Sequence, residues 1–352
     1  MPHEVKEMAM HFKVVVTMII PQHHFDNPYE EEVFGKIGAD VIKYERCATE
    51  EAVIAACHDA DGIINVFEPF TRRVIENLDK CKIISNVGIG LDGTDIDADT
   101  EHGIVLTNVP DYCVEEVSDH AMALLLACSR KLFKMNEIVI KGGLSWWARK
   151  ARDPLVPMLA LREQTLGLVG FGKIARNLVP KAKSFGLKTV VYDPYLPPGA
   201  IERNGAEPFS FDRLLQESDF ISIHVPGTED TYHMFGSAQF RKMKPTAYLI
   251  NTARGSIVDE QALHTAVSQG WIAGAGLDVM EKEPPALNNP LLELDNVIIT
   301  PHDASYSETS YWQLRREPVD EVARVLQRKW PVHFVNPEVK ESFIKKWKWA
   351  MS

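Results

Sequence analysis

Short apolar runs of strand length alternate along this chain with segments whose apolar residues recur every three or four positions. Phe12–Ile20, Asp40–Tyr44, Gly62–Val66, Lys82–Val87 and Ile104–Val109 read as strands. Residues 27–34, the segment opening at Thr49 and Thr71–Leu78 read as helices between them. Thr49 is placed to cap the helix that follows it. Such alternation implies a parallel sheet covered on both faces. Val114–Leu132 then predicts a long apolar helix crossing between domains, with Val117, Ala121, Leu124, Leu125 and Cys128 on one face. Its His120 reads as a packed helix residue rather than a ligand.

A second alternation begins at Thr165. The apolar run Leu166–Val169 leads into Gly170, Gly172 and Ala175, spaced G-x-G-x-x-A. A helix follows with Ile174, Leu178, Val179 and Ala182 on one face, then a strand, Lys188–Tyr192, that ends at Asp193. Strand, glycine turn, helix, strand and acid make up the dinucleotide-binding unit of a doubly wound sheet. Gly170 allows the tight turn, Gly172 lets the backbone approach a pyrophosphate, and Ala175 allows close helix–strand packing. The helix start, with Lys173 and Ile174, offers N–H groups and a positive dipole end. Asp193 lies 23 residues after Gly170, close to the usual spacing of about 20. It is placed to accept from ribose hydroxyls and to repel a 2′-phosphate, which favours NAD over NADP. A turn residue before Pro194 is the other reading of Asp193.

Further strands end in polar residues. Phe220–His224 runs into Val225-Pro226-Gly227-Thr228, and Ala247–Ile250 into Asn251-Thr252-Ala253-Arg254-Gly255. Ala273–Leu277 ends at Asp278, and Val297–Thr300 at Pro301-His302. All of these can line one carboxyl edge. In the first half, Lys82–Val87 ends in Gly88-Ile89-Gly90-Leu91-Asp92, whose backbone N–H groups could hold a carboxylate or simply form a tight loop. Trp146 and Trp147 sit in a loop-like stretch and read first as a packing or subunit contact, then as a substrate lid. Glu317–Trp330 predicts an amphipathic helix, and the last twenty residues a mixed tail.

Composition narrows the function classes. A length of 352 residues accommodates two domains with real cores. The net charge of −11 argues against a general phosphate-backbone binder, so no direct nucleic-acid partner is expected. No apolar run approaches the ~20 residues of a membrane span, and the start of the chain lacks a signal-peptide layout. A cytoplasmic protein without a membrane partner is the expectation. The five cysteines are scattered without C-x-x-C spacing, which points to neither a disulfide frame nor a metal site.

Hydride transfer to a 2-oxo acid at such an edge needs a cation for the carboxylate and carbonyl, a proton donor and an acid that orients the donor. Arg254 offers a planar bidentate fork. His302 offers a group that exchanges protons near neutral pH. Glu283 offers the orienting carboxylate. Each has a bland alternative: a surface ion pair, a satisfied core histidine, a solvated acid beside Glu281.

At these residues the chain resembles the D-isomer-specific 2-hydroxyacid dehydrogenases, over roughly Gly62 to Trp330. The separated motifs are Gly88-Ile89-Gly90-Leu91-Asp92, Gly170-Phe171-Gly172-Lys173-Ile174-Ala175, Asn251-Thr252-Ala253-Arg254-Gly255, Asp278-Val279-Met280-Glu281-Lys282-Glu283-Pro284 and Thr300-Pro301-His302. The resemblance implies that Arg254 binds substrate, that Glu283 pairs with His302, and that His302 is the acid/base. It implies that Asp278 contacts the nicotinamide amide and that Thr252, beside Ala253, lies by the ring with His302. His224, Pro226 and Thr228 would border the adenosine. It further implies two doubly wound α/β domains with a cleft between them that closes on substrate. A flavodoxin-like substrate domain would take residues 1–113 and 311–352, and a Rossmann NAD domain residues 114–310. A homodimer acting on a small 2-oxo or 2-hydroxy acid is implied as well.

Substrate contacts are expected from Asn86, Ile89, Gly90, Arg254 and Ser305, with Val66, Tyr306 and the tandem tryptophans as further selectors. Residues 300–307 and 192–196 are also similar to the C-terminal binding proteins, NADH-sensing corepressors. Those carry an arginine where this chain has Asn86 and a tryptophan where it has Ser305. Both departures predict a less basic, roomier pocket. The expected activity is NAD-dependent D-2-hydroxyacid dehydrogenation, reversible. A corepressor-like NADH sensor is the alternative, and phosphite oxidation a more remote one.

Overall fold

The protein is described here by a computed structural model covering residues 11–18, 28–141 and 155–352. Trp146 and Trp147 lie outside the described residues. The chain divides into two compact units, one taking the chain up to Tyr112 together with Glu308–Ser352, the other Cys113–Ser307. Both are parallel sheets covered by helices, as the alternation predicts. Among the described residues no helix is long and apolar enough to cross a membrane.

The first unit holds β1 (Phe12–Val16), β2 (Ala39–Lys43), β3 (Gly62–Asn65), β4 (Ile83–Asn86) and β5 (Val105–Thr107) in the order β2-β1-β3-β4-β5. The inner strands β3 and β4 are buried throughout, which explains why they read as unbroken apolar runs rather than alternating ones. Thr49 caps its helix as expected, its Oγ accepting from Ala52 N at 3.3 Å. The helix expected from Glu317 begins at Glu308 and runs to Leu326. Its charged middle hides the earlier turns, but Ser310 and Leu314 extend the buried face upstream of Pro318. This helix lies directly on β3, where a Cβ on Gly62 would stand 2.7 Å from Val322.

The mixed tail is folded rather than irregular. It contains a helix, Val339–Trp347, whose fully buried Phe343 is surrounded by Trp330, Trp347 and Trp349 at ring distances of 5.5, 6.5 and 6.3 Å. Burying such a ring is worth about 1.5–3 kcal/mol. Asn336 ties the segment to β5, accepting from Leu106 N and donating to Ile104 O.

The second unit contains β6 (Thr165–Val169), β7 (Lys188–Tyr192), β8 (Glu207–Pro208), β9 (Phe220–Ile223), β10 (Tyr248–Asn251), β11 (Gly274–Leu277) and β12 (Val297–Ile299). Their order is β12-β11-β10-β9-β6-β7-β8, so the winding direction reverses between β6 and β9. The long helix expected over Val114–Leu132 is two helices, Val114–Ser129 and Leu132–Ile140. Lys131 between them adopts a left-handed conformation (φ 50°), which ends the first helix. Leu124 and Cys128 of the first helix seat on β11 at Gly276, where a Cβ would meet them at 3.0 and 3.5 Å.

All five cysteines are buried, and burial pushes the Cys57 thiol up to about 12. Asp99 is also fully buried, and neither carboxyl oxygen has a hydrogen-bond partner among the described residues. Burial, with Asp95 nearby, holds it well above the usual carboxylate range. Above the ordinary carboxylate pKa of about 4 the unfolded chain gives up this proton while the folded chain keeps it. Asp99 therefore costs stability as pH rises, by up to about 1.4 kcal/mol per pH unit until the folded group itself ionises. Asp99→Asn is expected to raise the urea midpoint clearly at pH 8 and far less at pH 4.5; an equal effect at both would show that Asp99 does not titrate in this way.

Candidate active site

In the second unit, parallel register lines up the last paired residues of six strands. Tyr192 pairs with Val169, Val169 with Ile223, Ile223 with Asn251, Asn251 with Leu277, and Leu277 with Ile299. One residue beyond this row stand Asp193, Gly170, His224, Thr252, Asp278 and Thr300. The ladder continues into them: Gly170 N donates to Tyr192 O at 2.9 Å, His224 N to Val169 O at 2.7 Å, and Asp278 N to Asn251 O at 2.8 Å. The expected polar residues thus share one carboxyl edge.

The glycine turn fits a dinucleotide. Gly170 has φ 88°, and a Cβ there would meet His224 O at 2.8 Å, so only glycine fits between β6 and β9. Over Gly172 a Cβ would meet nothing within 4 Å, which leaves open space above the start of the Lys173–Ser184 helix. The N-cap is Gly172, which has no side chain to cap the helix, so the helix start suits a pyrophosphate. Asp193 is held beside the turn, accepting from Phe171 N and Tyr195 N at 2.9 Å each. His224 contacts Ser222 Oγ at 2.9 Å, and burial of its ring lowers its pKa to about 4, so it is neutral at neutral pH. Beyond it, Thr228 and Thr231 close a capped turn around Pro226, whose carbonyl accepts from Thr231 Oγ at 2.7 Å. The Thr252 hydroxyl is buried without a hydrogen-bond partner among the described residues, level with Asp278 just past the neighbouring strand.

His302 and Glu283 come together. His302 Nδ1 donates to Glu283 Oε2 at 2.6 Å, while Glu283 Oε1 accepts from Met280 N at 2.9 Å. The imidazole therefore carries its Nδ1 hydrogen toward the carboxylate and leaves Nε2 for other partners. Glu281 faces elsewhere and contacts His233 at 2.8 Å, which separates the roles of the two neighbouring acids. Arg254 follows β10 in extended backbone (φ −144°), and Asn251 shapes its loop by accepting from Ala253 N and donating to Arg254 O. Gly255 presses this loop onto Met280: a Cβ would fall 2.0 Å from the Met280 carbonyl. The segments bearing Arg254, Glu283 and His302 are thus packed in series.

Asp278 is 1% exposed and spends its carboxylate on the next loop. It accepts from Thr300 Oγ at 2.6 Å, Asp303 N at 3.2 Å and Ala304 N at 2.9 Å. His120, which the sequence presents as a packed helix residue, has its Nε2 2.9 Å from Thr300 Oγ. Its apolar helical surroundings gave no signal; only the fold brings residues 180 positions apart together.

In the first unit, Asn86 is buried, and its amide is engaged at both ends. Its Oδ1 accepts from Asn65 and its Nδ2 donates to Thr94. Ile89 and Gly90 are exposed in the loop after β4. Val66 is buried and Ser305, in the second unit, half-buried.

Residues 122–304 match the family described as D-isomer specific 2-hydroxyacid dehydrogenase, NAD binding domain. The chain is 35% identical over 329 residues to a glyoxylate reductase of Korarchaeum cryptofilum, covering 93% of this chain and 96% of that one. It is 38% identical over 301 residues to a glyoxylate reductase of Thermococcus litoralis, covering 83% and 87%. Among solved structures, D-lactate dehydrogenase from Aquifex aeolicus, complexed with NAD and lactic acid, superposes with a TM-score of 0.77 at 30% identity, covering 90% of this chain and 95% of that one.

The packing of Gly255 on Met280 gives a direct test. Gly255→Ala is expected to cost about 2–3 kcal/mol of stability, as overpacking at a rigid backbone does, and to lower turnover because the Arg254 loop must move. An alanine variant with unchanged urea midpoint and rate would mean that this contact is not tight.

Proposed function

Because the chain belongs to the D-isomer-specific 2-hydroxyacid dehydrogenases and is an NAD-dependent oxidoreductase of CH–OH donors, we propose that it reduces glyoxylate or a 2-oxo acid of similar size. The observation that carries this reading is the 2.6 Å pair of His302 and Glu283 on the edge of the dinucleotide sheet. Two glyoxylate reductases among the relatives support the small substrate.

Bound NADH supplies the hydride that goes to C2 of the 2-oxo acid. The chain does the rest. Arg254 holds the carboxylate and polarises the carbonyl with its planar fork. His302 gives its Nε2 proton to the carbonyl oxygen as charge develops there, and takes it back in the oxidative direction. Glu283, fixed by Met280 N–H, keeps the imidazole turned so that Nε2 faces the reacting oxygen. Gly170, Gly172, Lys173 and Ile174 receive the pyrophosphate, Asp193 the ribose, and His224, Pro226 and Thr228 border the adenosine. Thr252, Ala253 and Asp278 flank the nicotinamide.

The 114–310 segment is the NAD domain in this reading, and residues 1–113 with 311–352 the substrate domain. Ile89 and Gly90 offer backbone N–H groups to substrate, and Asn86 acts by shaping their loop. Ser305 leaves room at the side chain. A homodimer is part of the proposal, supported by the exposed Leu132, Phe133, Val139 and Ile140 on one short helix. A cytoplasmic location suits an enzyme that draws on the NAD(H) pool. The corepressor reading draws no support from relatives described as reductases and a dehydrogenase.

The test is NADH oxidation with glyoxylate, pyruvate, hydroxypyruvate, phenylpyruvate and 2-oxoglutarate. Turnover is expected with the smallest acids. His302→Ala should lower kcat by roughly 10²–10⁴ with NADH affinity kept; turnover with none of the panel, or loss of NADH binding in the variant, would overturn the reading. Cofactor choice is tested separately by Asp193→Asn, which keeps an acceptor for Phe171 N–H but removes the charge. Its preference for NADH over NADPH should shrink at least tenfold, and an unchanged ratio would remove Asp193 from that role.

A further inference from the structure

The helix Val114–Ser129 reaches both ends of the segment that carries His302. Ser307 Oγ donates to Glu116 Oε1 at 2.6 Å, and one helical turn later His120 Nε2 meets Thr300 Oγ at 2.9 Å. The direction of the second bond follows from its neighbour. Thr300 Oγ is 2.6 Å from Asp278 Oδ1, and a carboxylate only accepts, so the threonine hydrogen is committed there. His120 Nε2 must therefore carry the hydrogen and donate to Thr300. It also lies 3.5 Å from the same Asp278 oxygen.

Asp278 in turn binds Asp303 N and Ala304 N, on the far side of His302. His302 itself adopts a left-handed backbone conformation, φ 56°, which a non-glycine residue holds only when its surroundings enforce it. The bonds on either side of it supply that enforcement, and His120 is their outermost donor.

We propose that His120 is a positioning residue for the proton donor: its Nε2–H, acting through Thr300 and Asp278, holds the left-handed turn that aims the His302 imidazole. This rests on the reading of His302 as the proton donor.

His120→Leu keeps the bulk and removes the donor, whereas His120→Gln presents an amide N–H at similar reach. With glyoxylate and NADH, the leucine variant should lose about tenfold in kcat, as small misplacements of a reacting group do. KM and NADH affinity should stay unchanged, as when a mutation removes an interaction made only in the transition state. Amide hydrogen exchange across 299–306 should accelerate. The glutamine variant should recover most of the rate and of the protection. A leucine variant with full kcat, or a glutamine variant no better than leucine, overturns the inference. Should the leucine variant not fold, His120→Asn, whose amide is too short to reach Thr300, takes its place with the same expectations. His302→Ala measured alongside separates the two ideas: if it stays active the proton-donor reading fails, and if it is dead while His120→Leu is unaffected only the positioning role fails.

Discussion

Parallel register is the constraint on which the site depends. Backbone pairing aligns Tyr192, Val169, Ile223, Asn251, Leu277 and Ile299 across the sheet. The residue after each is therefore delivered to one edge, whatever its side chain. Ladder bonds carry the order one residue further at Gly170, His224, Asp278 and Thr300. A one-residue slip in β11 or β12 would turn Asp278 or Thr300 to the opposite face. β11 is buried throughout, and the partly buried edge strand β12 packs Val297 and Ile299 on one side and Ile298 on the other, which opposes such a slip.

Beyond the edge, close backbone contact takes over from register. Gly170 admits the His224 carbonyl and Gly255 admits the Met280 carbonyl, and in both places a methyl group would collide. These contacts join loops that come from different strands. Gly255 links the Arg254 loop to Met280, and Met280 N–H anchors Glu283, which holds His302. The second route to His302 is the buried carboxylate of Asp278. A charge in the core must be surrounded by donors, and the Thr300–Ala304 turn supplies them. His302 is thus held at its side chain by Glu283 and flanked by residues, Thr300, Asp303 and Ala304, that are bound to Asp278. That double attachment suits the proton-donor role proposed for His302, which requires close positioning.

Much of this was legible in the sequence because it obeys local rules. Unbroken apolar runs announced the inner strands, Thr49 its helix start, and the spacing from Gly170 to Asp193 the dinucleotide unit. Element ends were less legible. The helix from Glu308 is masked by its charged middle, Arg315-Arg316-Glu317, and the tail with Trp347 and Trp349 shows no clean period. Both are held by apolar contacts with the sheet of the first unit, which exist only once the chain is folded.

By itself, the sequence determined the α/β class, the phosphate-binding turn and the motif set that places the chain in its family, since each rests on spacing within a few tens of residues. The tertiary structure alone decided which polar groups are spent and which remain for chemistry. Asn86 was expected to face substrate, yet its amide is consumed by Asn65 and Thr94. His120 reads as a packed helix residue, yet its Nε2 lies 2.9 Å from Thr300 Oγ. Hydrogen-bond partners are set by distance in space, and residues separated by one or two hundred positions meet only after the sheet has fixed where each strand ends.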